Sequence, residues 1–218
     1  MRLSLIQHHP AEGPGEIAHW ATARGVDYTI FRADLEQLPD DQASPVLLLG
    51  GPYGAHDTLT WLQTERRWLQ QVAQGDAAIL AICLGAQLLT LALGGEVHKM
   101  ERPEVGWNAI QFTDGGQHDM LQWHEDMCIL PPGATLLAEN AHCRNQQYAV
   151  GLHRIALQFH AEWNADSVSV LNAFFGAASP LPHTIDAARF AISKQWLHAQ
   201  LDAWWNACTE VTPVGLLT

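Results

Sequence analysis

Apolar runs and amphipathic stretches alternate along the first 95 residues of the chain. Continuous apolar runs bounded by turn residues predict buried strands at residues 3–7, 28–31, 46–49 and 77–82. Apolar residues at helical spacing predict helices at residues 15–24, 59–73 and 85–93. This alternation predicts an α/β fold, a mostly parallel twisted sheet flanked by helices, with a site at the carboxyl ends of its strands.

The second half of the chain is less regular. Residues 97–149 are rich in loops, with short strands predicted at 109–113 and 127–130, and we expect a small antiparallel excursion there. A buried strand follows at residues 155–159. A residue between Asn164 and Ser167 is expected to cap a helix that ends near Phe175.

The domain organisation predicted from these elements is one domain over residues 1–180 and a helical extension over residues 181–218. The extension follows Ser179-Pro-Leu-Pro182 and consists of a long helix from Thr184 to about Cys208. We favour the interpretation in which this helix packs back on the domain. The alternative is a docking helix, for a second copy of the chain or another partner, with Trp204 and Trp205 as anchors.

The chemistry of the chain is indicated first by residues 79–87, which read Ile-Leu-Ala-Ile-Cys-Leu-Gly-Ala-Gln. A strand runs directly into Cys83 and a helix pattern begins directly after it. Small residues, Ala81 and Gly85, stand two positions on either side, as a strained strand-to-helix turn requires. The helix N-terminus favours the thiolate form of the cysteine. The pattern therefore predicts an activated nucleophile.

A cysteine nucleophile needs a base and a group that orients the base. The predicted strand at 155–159 is followed by His160 and Glu162, and residues two apart in extended chain face the same side. One histidine among 12 carries little weight by itself. A His-x-Glu pair that closes an apolar strand, in a chain with a cysteine elbow, indicates the base and its orienting carboxylate.

A Gly-Gly-Pro loop follows the predicted strand at 46–49. Glycines allow backbone N–H groups to approach a reacting carbonyl closely. Alone, this loop is as well explained by an ordinary turn. Beside the elbow, it is where an oxyanion donor is expected, at Gly51, with the N–H of Leu84 as the second donor.

In this order, the three motifs resemble those of the class I, triad-type glutamine amidotransferases. The family pattern is Gly-Gly-Pro, then Gly-x-Cys-x-Gly-x-Gln, then Phe-His-Pro-Glu. The corresponding segments here are residues 50–52, 81–87 and 159–162. The resemblance covers residues 3 to 176, and the opening segment is similar to free-standing members that look like the glutaminase domain of GMP synthase. It implies a flavodoxin-like fold and no cofactor.

The resemblance also implies roles for the site residues. Cys83 would attack the side-chain amide of glutamine, His160 would pass a proton to the leaving ammonia, and Glu162 would orient His160. The N–H groups of Gly51 and Leu84 would hold the oxyanion, and a γ-glutamyl thioester would form and be hydrolysed to glutamate. The substrate contacts implied are Gln87, Pro52, Trp123 and His124.

The chain departs from the family pattern at two positions. Ala81 replaces the first glycine of the elbow motif, and Ala161 replaces the proline between the histidine and the glutamate. A methyl group is the smallest intrusion at the elbow, and the lost proline loosens a turn. Neither residue is a reacting group, so we expect an intact site.

Several hypotheses remain open at this point. One is a glutaminase subunit that feeds ammonia to a separate ATP-using synthetase, because the chain has no Gly-x-x-x-x-Gly-Lys-Ser/Thr loop of its own. Another is a free-standing hydrolase of γ-glutamyl compounds. Outside this family, the alternatives are a cysteine hydrolase of the DJ-1 type and a binding module with a vestigial site.

Length, composition and charge narrow the class of protein further. The 218 residues suit one α/β domain, and a net charge of −12 argues against a nucleic-acid surface. No apolar run is long enough for a membrane span. The apolar start at Met1–Ile6 is followed at once by polar Gln7, so it is too short for a signal segment. We therefore expect a cytoplasmic protein. Three histidine clusters lack metal-ligand spacing and are expected on the surface or in loops: His8 with His9, His118 with His124, and His142 with His153.

Overall fold

The computed structural model describes residues 1–210, and within them the backbone forms nine strands and five α-helices. The strands are β1 Leu3–Gln7, β2 Tyr28–Arg32, β3 Val46–Leu48, β4 Ile79–Ile82, β5 Glu96–Phe112, β6 Gln117–Ile129, β7 Thr135–Glu139, β8 Gln147–Val150 and β9 Arg154–Leu157. The helices are α1 Glu16–Arg24, α2 Thr60–Gln74, α3 Leu84–Ala92, α4 Ala165–Phe175 and α5 Ala187–Glu210. Single 3-10 turns lie at Ala33–Leu35 and Gly176–Ala178.

The strands form one sheet in the order β2-β1-β3-β4-β9-β8-β7-β5-β6. The five strands from β2 to β9 pair in parallel, and the remaining strands pair antiparallel. The predicted α/β architecture is therefore confirmed. Because β1, β3, β4 and β9 are parallel neighbours, the loops after them open at the same edge of the sheet, and this edge carries the candidate site.

The inner parallel strands β1, β3 and β4 are buried on both faces, which explains their largely apolar sequence. Along β4, Leu80 and Ile82 pack in the core on one face, while Ile79 and Ala81 pack in the core on the other. The helices cover both faces: α1 and α5 contribute to the first core, and α2 and α3 to the second. The helix α1 ends at Gly25 in the left-handed conformation (φ 65°), as its sequence predicts.

The antiparallel excursion is present, but its strands are much longer than the sequence predicts. Strands β5 and β6 contain 17 and 13 residues and pair as a ribbon, with an irregularity between Lys99 and Glu104. Much of this ribbon is exposed or half-buried, so its polar residues weaken the apolar signal. Buried positions such as Ile110, Met120 and Cys128 stand out only where the ribbon meets the core.

The C-terminal helix begins at Ala187, three residues after the predicted start, and packs against α1 and the β5–β6 ribbon. Leu197, Leu201 and Trp204 are at most 1% exposed, and the indole N–H of Trp204 donates to the carbonyl of His153 at 3.0 Å. These contacts agree with the interpretation in which the helix packs back on the domain. The prediction that Trp204 is a docking anchor is wrong, because its side chain is buried within the chain.

Trp205 packs edge-on against Trp20 at 6.0 Å, within the same chain. The boundary at residue 180 and the homodimer stay predictions, and residues 211–218 lie outside the described part. None of the described helices combines the length and apolarity needed to cross a membrane.

Candidate active site

Cys83 stands in a strained turn between β4 and α3. Its φ of 50° and ψ of −110° are unusual for a residue with a side chain, and its N–H donates to the carbonyl of Leu157 at 2.8 Å. The following turn is tight, because a methyl group on Gly85 would lie 2.6 Å from the Cβ of Leu48. The elbow predicted from the sequence is therefore present, and it directs the cysteine to the open edge of the sheet.

His160 and Glu162 follow β9 and form a buried pair at this edge. The Nδ1 atom of His160 lies 2.7 Å from Oε1 of Glu162, and each residue is 1% exposed. The ring of Trp163 stacks on His160 with centroids 3.5 Å apart and planes 8° from parallel. The imidazole is therefore held both by a carboxylate and by an aromatic face.

The charge of this pair depends on its surroundings. Burial lowers the pKa of His160, but the Glu162 carboxylate and the sulfur of Cys83, which lies within hydrogen-bond reach, outweigh burial and raise the pKa to about 10. His160 is therefore an imidazolium at neutral pH and presents a proton beside Cys83. This arrangement suits a proton donor to a group that leaves from a cysteine adduct.

The loop after β3 approaches these residues through two glycines. A methyl group on Gly50 would lie 2.8 Å from Cε1 of His160 and 3.6 Å from Cβ of Cys83. A methyl group on Gly51 would lie 2.9 Å from the Cδ2 atom of Leu84. Only glycine brings the backbone this close, as the Gly-Gly-Pro motif indicates.

A pocket of about 400 Å³ opens above the elbow, a volume that accommodates a small metabolite. Eight of the nine site residues expected from the sequence line it: Gly51, Pro52, Cys83, Leu84, Gln87, Trp123, His124 and His160. Glu162 does not line the pocket and contacts His160 through its Nδ1 atom. The carbonyl oxygen of Trp123 lies 3.9 Å from the sulfur of Cys83.

A family model described as "Glutamine amidotransferase class-I" matches residues 15–175, about three quarters of the chain. The chain belongs to the class-I glutamine amidotransferase family. The match includes the three motifs on which the resemblance depends. It also leaves the alternative of a DJ-1-type cysteine hydrolase without support.

The curated relatives of this chain carry names that describe different activities. A glutamine amidotransferase-like protein of Salmonella typhimurium is 29% identical over 78% of this chain and 80% of its own. Gamma-glutamyl peptidase 3 of Arabidopsis thaliana is 24% identical over 65% of each chain. A component of the glutamine-hydrolysing GMP synthase of Saccharolobus solfataricus is 29% identical over 60% of this chain and 77% of its own.

Among solved structures, a glutamine amidotransferase from Methylobacillus flagellatus superposes with a TM-score of 0.85. It is 25% identical and covers 94% of both chains. The coverage includes part of α5, since 94% exceeds the share of the chain that precedes this helix. Part of the helical extension is thus shared with at least one structural neighbour.

Sequence reasoning missed the role of His8, which was expected on the surface or in a loop. His8 is 0% exposed, with Nδ1 3.0 Å from the carbonyl oxygen of Gly50 and Nε2 2.8 Å from Oε1 of Glu65. Burial lowers the pKa of His8, but Glu65 outweighs burial, so the pKa is raised. Both ring nitrogens therefore have a polar partner, and the ring supports the glycine loop.

His124 was also expected among surface or loop histidines, and it is 5% exposed. Its Nδ1 atom lies 2.9 Å from the carbonyl of Asp126, and its Nε2 atom lies 3.1 Å from Oε2 of Glu104. Glu104 accepts further hydrogen bonds from Asn140 and Gln146, both at 2.6 Å. A buried polar network therefore holds the β5–β6 wall of the pocket.

Glu12 is, after His8, the second functional candidate that the sequence did not reveal. It lies in the loop between β1 and α1, is 6% exposed and lines the pocket. The one available signal was its position, because the loop after β1 opens at the same edge as the loops after β3 and β4. Nothing in the residue pattern indicates that this carboxylate points inward.

Proposed function

We propose that this amidotransferase hydrolyses the side-chain amide of glutamine, or of another γ-glutamyl amide, through Cys83, His160 and Glu162. The observation that carries the proposal is the buried 2.7 Å pair of His160 and Glu162 beside the strained Cys83, in a chain of this family. A nucleophile, a base and an orienting group are the parts that covalent acyl transfer requires.

The reaction begins when the thiolate of Cys83 attacks the amide carbon, and the amide oxygen becomes an oxyanion. The N–H groups of Gly51 and Leu84 stabilise that oxyanion. The C–N bond breaks as His160 gives its proton to the leaving nitrogen, which departs as ammonia or an amine, and a γ-glutamyl thioester remains. His160 then takes a proton from water, whose hydroxide displaces the cysteine and yields the free γ-carboxylate.

The rest of the substrate is recognised by the other pocket residues. Gln87, in the first turn of α3, is 3% exposed, lines the pocket and lies near Cys83 because its N–H bonds to the Cys83 carbonyl at 3.0 Å. We assign its amide to the amino-acid end of the substrate, together with Pro52 and the backbone around Trp123 and His124. No cofactor takes part in this scheme.

The test is ammonia release by the purified chain from glutamine and from γ-glutamyl amides. Cys83→Ala should abolish release while the fold persists, whereas Cys208→Ala, at a half-buried cysteine on α5, should not. Labelling of Cys83 by a glutamine-mimicking electrophile reports on the site even without turnover. Unchanged release by Cys83→Ala, with no labelling of Cys83 in the unsubstituted protein, would disprove the mechanism.

Two versions of this function are distinguished by the same experiment. Similarity to a γ-glutamyl peptidase favours a free-standing hydrolase, and similarity to a GMP synthase component favours a protein that passes ammonia to an ATP-using synthetase. Strong turnover by the chain alone supports the first version. Labelling of Cys83 without turnover supports the second.

A further inference from the structure

Glu12 is a buried carboxylate with no partner in the part of the chain that the structure describes. No hydrogen bond or ion pair to its side chain forms within residues 1–210, although the side chain is 6% exposed and lines the active-site pocket. Its carboxylate oxygens are not sealed from the pocket, so they are available to a molecule that enters it. An unpaired carboxylate that faces a pocket therefore indicates a ligand group that it would bind.

The position of Glu12 identifies which part of the ligand it meets. A methyl group on Gly50 would lie 2.8 Å from Oε2 of Glu12 and 2.8 Å from Cε1 of His160, so both side chains lie against Gly50 on the same side. In the proposed reaction, His160 delivers its proton to the leaving nitrogen. The group that leaves must therefore pass beside His160, and Glu12 is a carboxylate that it meets there.

The charge of the pocket points in the same direction. Among the described residues, its lining includes the carboxylates of Glu12, Glu125 and Asp126, against one cation, the imidazolium of His160, and no lysine or arginine. A leaving group that carries its own carboxylate, as the amino acid released from a γ-glutamyl peptide does, meets like charge there. A leaving group with an amine donates hydrogen bonds to Glu12 and gains favourable charge interaction.

We propose that Glu12 forms a leaving-group subsite that accepts hydrogen bonds from the departing amine and selects γ-glutamyl amides of neutral or cationic amines over γ-glutamyl peptides. This inference rests on the proposed function and adds a substrate class to it. Glu12 takes no proton in the step, because the proton on the leaving nitrogen comes from His160. Its contribution is binding of the amine and exclusion of carboxylates.

The carboxylate is also suited to respond to such a ligand. Burial raises the pKa of Glu12 to about 7, against the opposing effects of His160 and His8 and with the help of Glu162. A cationic amine in the subsite favours the ionised form of Glu12, so binding increases the ionised fraction of this carboxyl. An anionic leaving group has the opposite effect: it favours the protonated form of Glu12, so its binding carries the cost of neutralising that carboxylate.

The experiment compares three substrates with the full chain: γ-glutamyl-1,4-diaminobutane, γ-glutamylethylamide and γ-glutamylglycine, whose leaving groups are cationic, neutral and anionic. We expect kcat/KM of the unsubstituted protein to favour the cationic over the anionic substrate by at least about tenfold. Glu12→Gln should reduce that ratio about tenfold, because it removes the charge and keeps the shape. Glu101→Gln, at an exposed position of β5, should leave the ratio unchanged.

If Glu12 only held the loop or His160 in place, Glu12→Gln would instead lower kcat uniformly for all three substrates. That result, or a preference of the unsubstituted protein for γ-glutamylglycine, overturns the subsite. If Glu12→Gln does not fold, Glu12→Asp keeps the charge and should keep the order of the three substrates. Absence of hydrolysis and of Cys83 labelling in the unsubstituted protein instead rejects the proposed function itself.

Discussion

The Nδ1 atom of His8 lies 3.0 Å from the carbonyl oxygen of Gly50, and this bond fixes the peptide between Gly50 and Gly51. That peptide is trans, as all described peptides are, so its N–H points away from its carbonyl. The carbonyl faces the buried ring of His8, and the N–H of Gly51 therefore points to the opposite side. His8 thus orients the group to which we assign the oxyanion.

We predict that His8→Asn lowers kcat by roughly tenfold to a hundredfold with little change in KM, less than the loss of a donor itself would cost. Glu65→Gln should have a smaller effect, because it keeps an acceptor for His8 and removes only its charge. The control is His98→Asn, which breaks the exposed pair with Glu96 at 2.7 Å. An increase in KM at constant kcat would contradict a role in transition-state stabilisation.

The order of effects within the triad is a second prediction. His160→Ala should reduce kcat/KM by at least about 10³, since it removes the proton donor. Glu162→Ala should reduce it less, because the stacked ring of Trp163 still holds the imidazole in place. Steady-state kinetics of the two variants provide the measurement, and the reverse order would refute the orienting role.

The same substitution at Glu162 has a consequence for pH. The carboxylate raises the pKa of His160, so its removal lets burial lower that pKa. His160 then loses its proton at lower pH than in the unsubstituted protein, and the alkaline limb of the kcat/KM profile should move to lower pH. An unmoved limb in Glu162→Ala would mean that His160 does not set it.

Much of the fold was predictable because the inner parallel strands are buried on both faces. Strands such as β3 and β4 are short apolar runs, and their alternation with amphipathic helices defines the topology. Asn164 caps α4 as expected, accepting from the N–H of Ser167 at 2.9 Å. The lengths of β5 and β6 were underestimated. These strands are largely exposed and carry many polar residues, so their sequence shows no periodicity that would distinguish them from loops.

The candidate site was predictable where backbone geometry restricts the residue type. The elbow requires small neighbours for Cys83, and the loop after β3 requires glycine beside His160, so both leave a sequence signature. Glu12 and His8 leave none, because a polar residue in a predicted loop gives no sign of whether the fold buries it. Only the fold, which buries this loop against Gly50, reveals that they face the site.

Stability should depend on pH through Glu12. Burial raises the pKa of its carboxyl from 4.5 to about 7, so the folded state prefers the protonated form. Below pH 4.5 the group is protonated in both states and has no effect; above pH 7 it is ionised in both, and the folded state carries the full cost. That cost is on the order of 3 kcal/mol.

Glu12→Gln removes this cost, so its gain in unfolding free energy over the unsubstituted protein should grow between pH 4.5 and 7 and stay constant above. Urea unfolding at four pH values measures the difference. Glu101→Gln, at an exposed site, should show a difference that does not change with pH. A flat difference for Glu12→Gln as well would show that the carboxyl titrates normally.

The elbow itself can be tested at Gly85. A methyl group there would lie 2.6 Å from the Cβ of Leu48 and 2.8 Å from its carbonyl oxygen, so α3 must move away from the end of β3. We expect Gly85→Ala to lower the free energy of unfolding by about 1–3 kcal/mol. Because Leu48 precedes the Gly-Gly loop, the shift also separates the N–H of Gly51 from Cys83, and kcat should fall while KM changes little.

The matched control is Gly13→Ala, since Gly13 has open space around its Cα and no positive φ. This substitution also lies in a loop at the same edge of the sheet, and it should leave stability within about 0.5 kcal/mol and activity unchanged. Urea unfolding and kinetics of the two variants separate steric need at the elbow from a general intolerance of methyl groups. Equal stability and activity in Gly85→Ala would show that α3 can shift without disturbing the nucleophile.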